Sequence, residues 1–198
     1  MNRSIALAGL FGLSVCAMSG LAFAQSPIAC ALIGEKEALA LVGGPLGEIA
    51  KGEQKPTPEN AHDHSTLCGF FPKGYDFRKT DRPPERGLQL QLHAMRNNAD
   101  AKNFHENTVG MVEEMAKAPR TPFARGKIAT KIATLSGMGA TAKMEVETIE
   151  FEPKSVYHVA TVYFLKGNVS GVVAVWEKGA PADETARVAA KQVIAKLP

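Results

Sequence analysis

The sequence predicts an α+β fold, an antiparallel sheet with helices packed on it, in the order α-β-β-α-β-β-β-α. Three observations carry this. Val156 to Leu165 and Val169 to Trp176 are rich in β-branched and aromatic side chains and meet at Lys166-Gly167-Asn168, a strong hairpin signal. Leu88-Gln89-Leu90-Gln91-Leu92-His93-Ala94 alternates apolar and polar residues, as a strand with one dry and one wet face must. Two stretches, Asp100 to Pro119 and Asp183 to the end, carry apolar residues at helical spacing. Strands joined by short turns pair antiparallel, and helices with single apolar stripes have to lie on that sheet.

The first stretch, Met1 to Ala24, reads as a secretory leader: Arg3, an apolar run from Ile5 to Phe23, and the small residues Ala22 and Ala24 before Gln25. Cleavage there leaves residues 25–198 as a single domain. Cys16 sits in the middle of the apolar run, after the bulky Val15, so neither a lipid anchor nor any stable membrane anchor after cleavage is expected. Of three cysteines, Cys30 and Cys68 then remain. An even pair in an exported chain reads as a disulfide, worth about 3–4 kcal/mol by loop entropy.

Gly34 to Val42 forms a short helix, its early acids at the positive end of the dipole, and Gly43-Gly44-Pro45 stops it. Leu46 to Ser65 has no usable apolar period and reads as an exposed loop. Leu67 to Phe71 is a short strand. Tyr75 to Arg86, with Pro83-Pro84 inside it, reads as a second loop. After the strand at 88–94, Asp100 caps a helix whose stripe is Phe104, Thr108, Met111, Val112 and Met115. Residues 120–140 suit either a helix or a strand, with a turn at Ser136-Gly137-Met138-Gly139. Ala142, Met144 and Val146 alternate with charged residues, but Ile149 and Phe151 have the opposite parity, so a bulge near Thr148 is expected. The hairpin strands read as central and covered on both faces. The last helix, opened by Asp183, shows the stripe Ala186, Ala189, Ala190, Val193, Ile194 and Leu197.

At 198 residues, 45% hydrophobic and 22% charged, the composition excludes a disordered polymer and a polytopic membrane protein. Basic residues exceed acidic ones by three, and by two once Arg3 leaves, which argues against nucleic acid as a partner. Cys30-Ala-Leu-Ile-Gly34, the acidic helix, Gly43-Gly-Pro45, Cys68 and Ser136-Gly-Met-Gly-Ala-Thr-Ala142 before a hairpin and terminal helix follow a recurrent plan. It is similar to small exported bacterial domains of unknown function that are PsbP-like in plan. That resemblance implies a periplasmic binding or accessory module rather than an enzyme, and brings no catalytic residues.

The chemistry-bearing signals are few. Gly137-Met-Gly139-Ala-Thr-Ala142 has the shape of a dinucleotide turn, but a strand pattern follows it, so a tight turn is expected and no cofactor. No G-x-S-x-G elbow, H-E-x-x-H helix or P-loop occurs, and no catalytic residue is assigned. His62-Asp63-His64 sets two imidazoles on one side of an extended segment, a donor pair suited to zinc or copper, with His93 or Asp76 as further ligands. His105 and His158 read as structural. Tyr75, Arg78, Arg82 and Arg86 offer a basic loop with an aromatic anchor for an acidic partner. The leading expectation is thus an exported periplasmic or secreted non-catalytic module, stabilised by one disulfide, binding a protein or small ligand through the loops at 46–65 and 75–87. The alternative is metal binding by His62 and His64.

Overall fold

The computed structural model describes residues 28–57, 63–76, 83–117, 126–151 and 155–198, so the leader, His62, Arg78 and Arg82 lie outside the described residues. The helices are α1 (Ala29–Leu32), α2 (Glu35–Val42), α3 (Asn98–Lys117) and α4 (Asp183–Lys196). The strands are β1 (Ala50–Gln54), β2 (Asp63–Phe70), β3 (Arg86–Met95), β4 (Gly126–Leu135), β5 (Thr141–Phe151), β6 (Ser155–Lys166) and β7 (Val169–Lys178). They form one antiparallel sheet in the order β1-β2-β3-β7-β6-β5-β4.

The α+β class stands as read, but the element order differs from the expected one. The loop at 46–65 contains β1, a short polar edge strand whose exposed side chains give it no apolar signature. Residues 126–135 settle as the edge strand β4, so four strands rather than three follow α3. The helix expected at Gly34 to Val42 is α2, and a further short helix, α1, precedes it across Ile33-Gly34. Gly34 N–H donates to Glu37 Oε2 at 2.8 Å, closing the start of α2.

The hairpin is the middle of the molecule. Lys166 opposes Val169 across Gly167-Asn168, Gly167 takes φ 57°, and β7 lies between β6 and β3 as the central strand. Its neighbours bury side chains toward both faces. On the first face Leu90, Val173, Val162 and Met144 lie in one row and Leu92, Gly171, Phe164 and Ala142 in the next. There they meet Ala29 of α1, Ile33 between the first two helices, Ala38 of α2, and Ala186, Ala190 and Val193 of α4 in the main apolar core. Lys166 Nζ crosses to donate to the Ile194 and Leu197 carbonyls at 3.1 and 2.6 Å, satisfying the end of α4 with a cation at its negative pole.

Helix α3 carries the chain from β3 across the second face to β4, giving three layers. Its cap is Asn97 rather than Asp100: Asp100 N–H donates to Asn97 Oδ1, and Asn97 Nδ2 donates back to Asp100 Oδ2, both at 2.9 Å. Its buried stripe is Ala101, His105, Val109 and Val112, while Met111 and Met115 are exposed. The expected stripe was turned because the surface beneath α3 is largely polar (Gln91, His93, Lys143, Glu145 and Tyr163) and accepts a histidine as readily as a methionine.

No bulge interrupts β5. Its register with β4 and β6 is continuous from Thr141 to Phe151. The parity change at Ile149 instead hands the apolar side chains to the second face, where Ile149 lies in a row with Ile128 and Tyr157.

Candidate functional site

Cys30 and Cys68 form a disulfide with Cα atoms 5.1 Å apart, fastening α1 to β2. Ala29 N–H donates to Thr66 Oγ1 at 3.1 Å on the same strand, so β2 is held at two points. The far end of β2 is thereby a fixed base for the chain that follows it.

At that end the two long segments singled out by composition meet. Leu46 bridges Pro72, Gly47 N–H donates to the Phe71 carbonyl at 2.8 Å, and Lys73 N–H donates to the Pro45 carbonyl at 3.3 Å. Tyr75 N–H turns back onto the Pro72 carbonyl at 3.0 Å. These bonds enclose a pocket of about 230 Å³ lined by Gly47, Glu48, Ala50, Phe71, Pro72, Gly74, Tyr75 and Asp76. Its volume is below the roughly 300–1,000 Å³ of drug-sized sites, so it suits a side chain or a small molecule.

Phe71 is positioned by two glycines. Its ring lies across Gly69 of β2 and Gly87 of β3: a Cβ at these positions would come within 2.7 and 2.8 Å of ring atoms. Neighbouring rings complete the support, with Tyr75 at 5.6 Å and Trp176 at 5.7 Å between centroids, both tilted. Nearby, Lys178 Nζ stands 5.9 Å from the Tyr157 ring centre and donates to Glu85 at 2.6 Å. Burial, with a smaller contribution from Tyr157, pushes the Tyr75 phenol above its usual range, so the ring presented to the pocket stays neutral.

Of the four residues assigned to partner binding, Tyr75 and Arg86 are described. Tyr75 lines the pocket. Arg86 alternates with Gly87 and so points to the opposite face, where its guanidinium covers Gly43-Gly44 at the end of α2; a Cβ on Gly44 would lie 2.8 Å from Nη1. That places a cation at the negative end of a helix. Arg86 also sits opposite Glu177, whose carboxyl burial raises and Arg86 partly lowers. Arg78 and Arg82 fall outside the described residues.

His62 likewise falls outside them, so the donor pair is half visible. His64 Nε2 lies 2.9 Å from Glu53 Oε1. His93, expected on a wet face, is instead under α3 with Phe104 stacked 4.5 Å from its ring, its Nδ1 3.0 Å from Asp63 Oδ2 and its Nε2 3.0 Å from Gln91 Nε2. The register puts His64 opposite Ala94 and His93 opposite Ser65, so the two imidazoles point to opposite faces and cannot share an ion. Among the described residues no three His, Cys, Asp or Glu side chains are grouped to hold a metal. The Gly137 to Gly139 turn leads into β5 rather than a helix, with both glycines at positive φ and Met138 buried in the core.

Sequence reading missed Phe71 and Glu48 as pocket walls, and named Asp76 only as a candidate metal ligand. The available signal was Gly69-Phe70-Phe71-Pro72 followed by Gly87: a surface aromatic flanked by residues that remove side chains where a ring lies flat.

No family model matches the chain, and no curated protein matches it. Among solved structures, the fold is similar to the extracellular domain of PknH from Mycobacterium tuberculosis, with a TM-score of 0.60 and 11% identity over 85% of this chain and 93% of that one. At that identity the likeness is one of architecture: this chain has a three-layer α+β fold of a kind that also occurs as an extracellular domain.

Proposed function

We propose that the chain is an exported, periplasmic or secreted binding module whose pocket, between residues 47–50 and 71–76, receives a small ligand or a side chain of a partner protein. The observation that carries this is the convergence of two long polar segments on one small aromatic-lined cavity, fastened by backbone hydrogen bonds. Export is supported by the leader-like first 24 residues, by the disulfide, and by the likeness in fold to an extracellular domain. No helix among the described residues is long and apolar enough to cross a membrane. The plan of a small exported, PsbP-like bacterial domain belongs to the same reading.

Amide chemical-shift mapping of the labelled, oxidised chain against a fragment set of cationic, anionic and neutral compounds tests it. Shifts concentrated at residues 47–50 and 71–76 are expected. A set that leaves these amides unmoved, or moves others as strongly, overturns the assignment.

A further inference from the structure

The two sides of the sheet are covered in different ways. Among the described residues the main apolar core joins the sheet to α1, α2 and α4 and takes none of its members from α3. The side chains that α3 buries are Ala101, Val109 and Val112 together with one imidazole, His105, which is 4% exposed. We propose that α3 is an acid-released cover: protonation of His105 frees the helix from the second face while the core on the first face stays folded.

The groups on the face that α3 covers differ from strand to strand. From β3 comes His93, its Nδ1 3.0 Å from Asp63 Oδ2 of β2. Strand β5 turns Lys143, Glu145 and Glu147 to this face; Lys143 holds Glu113 of α3, and Glu145 accepts from Tyr163 of β6 at 3.0 Å. At the far end lie Tyr157 of β6 and Lys178 of β7, the latter donating to Glu85 at 2.6 Å. Strand β4 turns threonines and isoleucines to this face and Lys131 to the other. On α3 itself Glu106, the neighbour of His105, is exposed and stands 3.8 Å from Lys102. Burial holds His105 below its ordinary value of 6.5; Glu106 opposes this and Lys143 adds to it. An imidazole that resists a proton when covered accepts one when uncovered, so acid favours the open form. The open population rises by up to about tenfold for each pH unit below about 6.5, until the covered value is reached.

Two further features keep the release local. Gly110 lies inside α3 with nothing within 4 Å of where a Cβ would stand, so no close approach requires it. An interior glycine leaves a helix about fourfold easier to open than alanine does. The chain entering α3 is tied to the central hairpin: Met95 N–H donates to the Asn168 carbonyl and Asn168 Nδ2 donates to the Met95 carbonyl, both at 2.8 Å. The helix can therefore lift from a fixed root, as a unit less stable than the rest.

Hydrogen exchange of the oxidised chain, read by mass spectrometry and corrected for the intrinsic pH dependence of amide exchange, tests this. Between pH 7 and pH 5 the opening of peptides from α3 should rise about three- to thirty-fold, while peptides from the β6–β7 hairpin and α4 stay protected. His105→Gln should remove most of that rise. Two other variants carry the test if His105→Gln does not fold. Glu106→Gln removes the carboxylate that favours protonation and should move the onset of opening down by a few tenths of a pH unit. Gly110→Ala should lower α3 opening about fourfold at both pH values and leave the onset where it was. If α3 and the hairpin lose protection together, the acid response is global unfolding and the proposal falls. It falls equally if α3 opens to the same extent at pH 7 and pH 5, or if neither His105→Gln nor Glu106→Gln alters the response.

Discussion

Replacing Cys30 and Cys68 together by alanine isolates the contribution of the bridge. The two residues are 38 positions apart. The chain-entropy relation for a loop of that length gives about 4 kcal/mol of stabilisation through the unfolded state. Cys68 is fully buried, so the loss of its sulfur adds a small packing cost. Ala29 N–H still bonds Thr66 Oγ1, so α1 keeps its seat on β2 and the native state should survive. For a domain of this size 1 kcal/mol moves the melting temperature by about 2–4 °C, so a fall of about 8–16 °C is expected. Calorimetry on wild type and variant, each with and without excess reductant, is the assay. Reductant should bring wild type down to the variant and leave the variant where it was. If wild type melts at the same temperature after thiol labelling proves both cysteines reduced, the loop-entropy argument and the idea of a fixed base under the pocket are both refuted.

Other outcomes follow from single contacts. Gly171→Ala puts a Cβ 2.1 Å from Phe164 Cζ in a wholly buried ring, so urea unfolding should shift by at least about 1–3 kcal/mol, and adding Phe164→Leu should recover part of it. His105 is held below its ordinary value of 6.5 mainly by burial, with Lys143 adding to the effect and Glu106 opposing it. The unfolded chain therefore takes up a proton the native state refuses: stability is full above about pH 6.5 and falls below it, and His105→Gln should lose less melting temperature than wild type between about pH 7 and pH 5. Val173→Asp sets an unpaired carboxylate in the central strand, where Val173 is fully buried, and should abolish the cooperative transition seen by circular dichroism. Intact-mass analysis of the exported protein should find Gln25 as the first residue; a chain still carrying Met1 would remove the export argument.

Legibility in the sequence followed the strength of local periodicity. The hairpin through Gly167-Asn168 declares its turn, the alternation in β3 and the alanine-rich stripe of α4 each declare one face, and all three stand as read. Strand β1 could not be seen because an edge strand paired only to β2 buries almost nothing, so Ala50-Lys-Gly-Glu-Gln54 has no reason to alternate. Strand β4 was ambiguous for a related reason: Ile128, Ile132 and Leu135 fit both a helical stripe and an edge strand, and only pairing with β5 decides. The β5 parity change misled because a bulge assumes one dry face from end to end. The sheet instead turns its apolar side chains to the other face at Ile149 with the register unbroken.

The site was half legible, and the division has a physical basis. Composition can mark a loop as long and polar, which is why the segments at 46–65 and 75–87 were picked out together. It cannot say which residues of two loops meet, since that depends on backbone bonds such as Gly47 N–H to Phe71 O. Charge counting along the chain pointed to Arg78, Arg82 and Arg86 and hence to an acidic partner. Strand alternation sends Arg86 to the face of α2, away from the cavity that Glu48 and Asp76 line, while Arg78 and Arg82 lie outside the described residues. Nearness along the chain therefore does not say which charges share a site built where two chain segments cross. The better guide here was the glycine pair, since Gly69 and Gly87 come together only in the sheet and there leave room for one ring, Phe71, to lie flat and face the cavity with its edge supported.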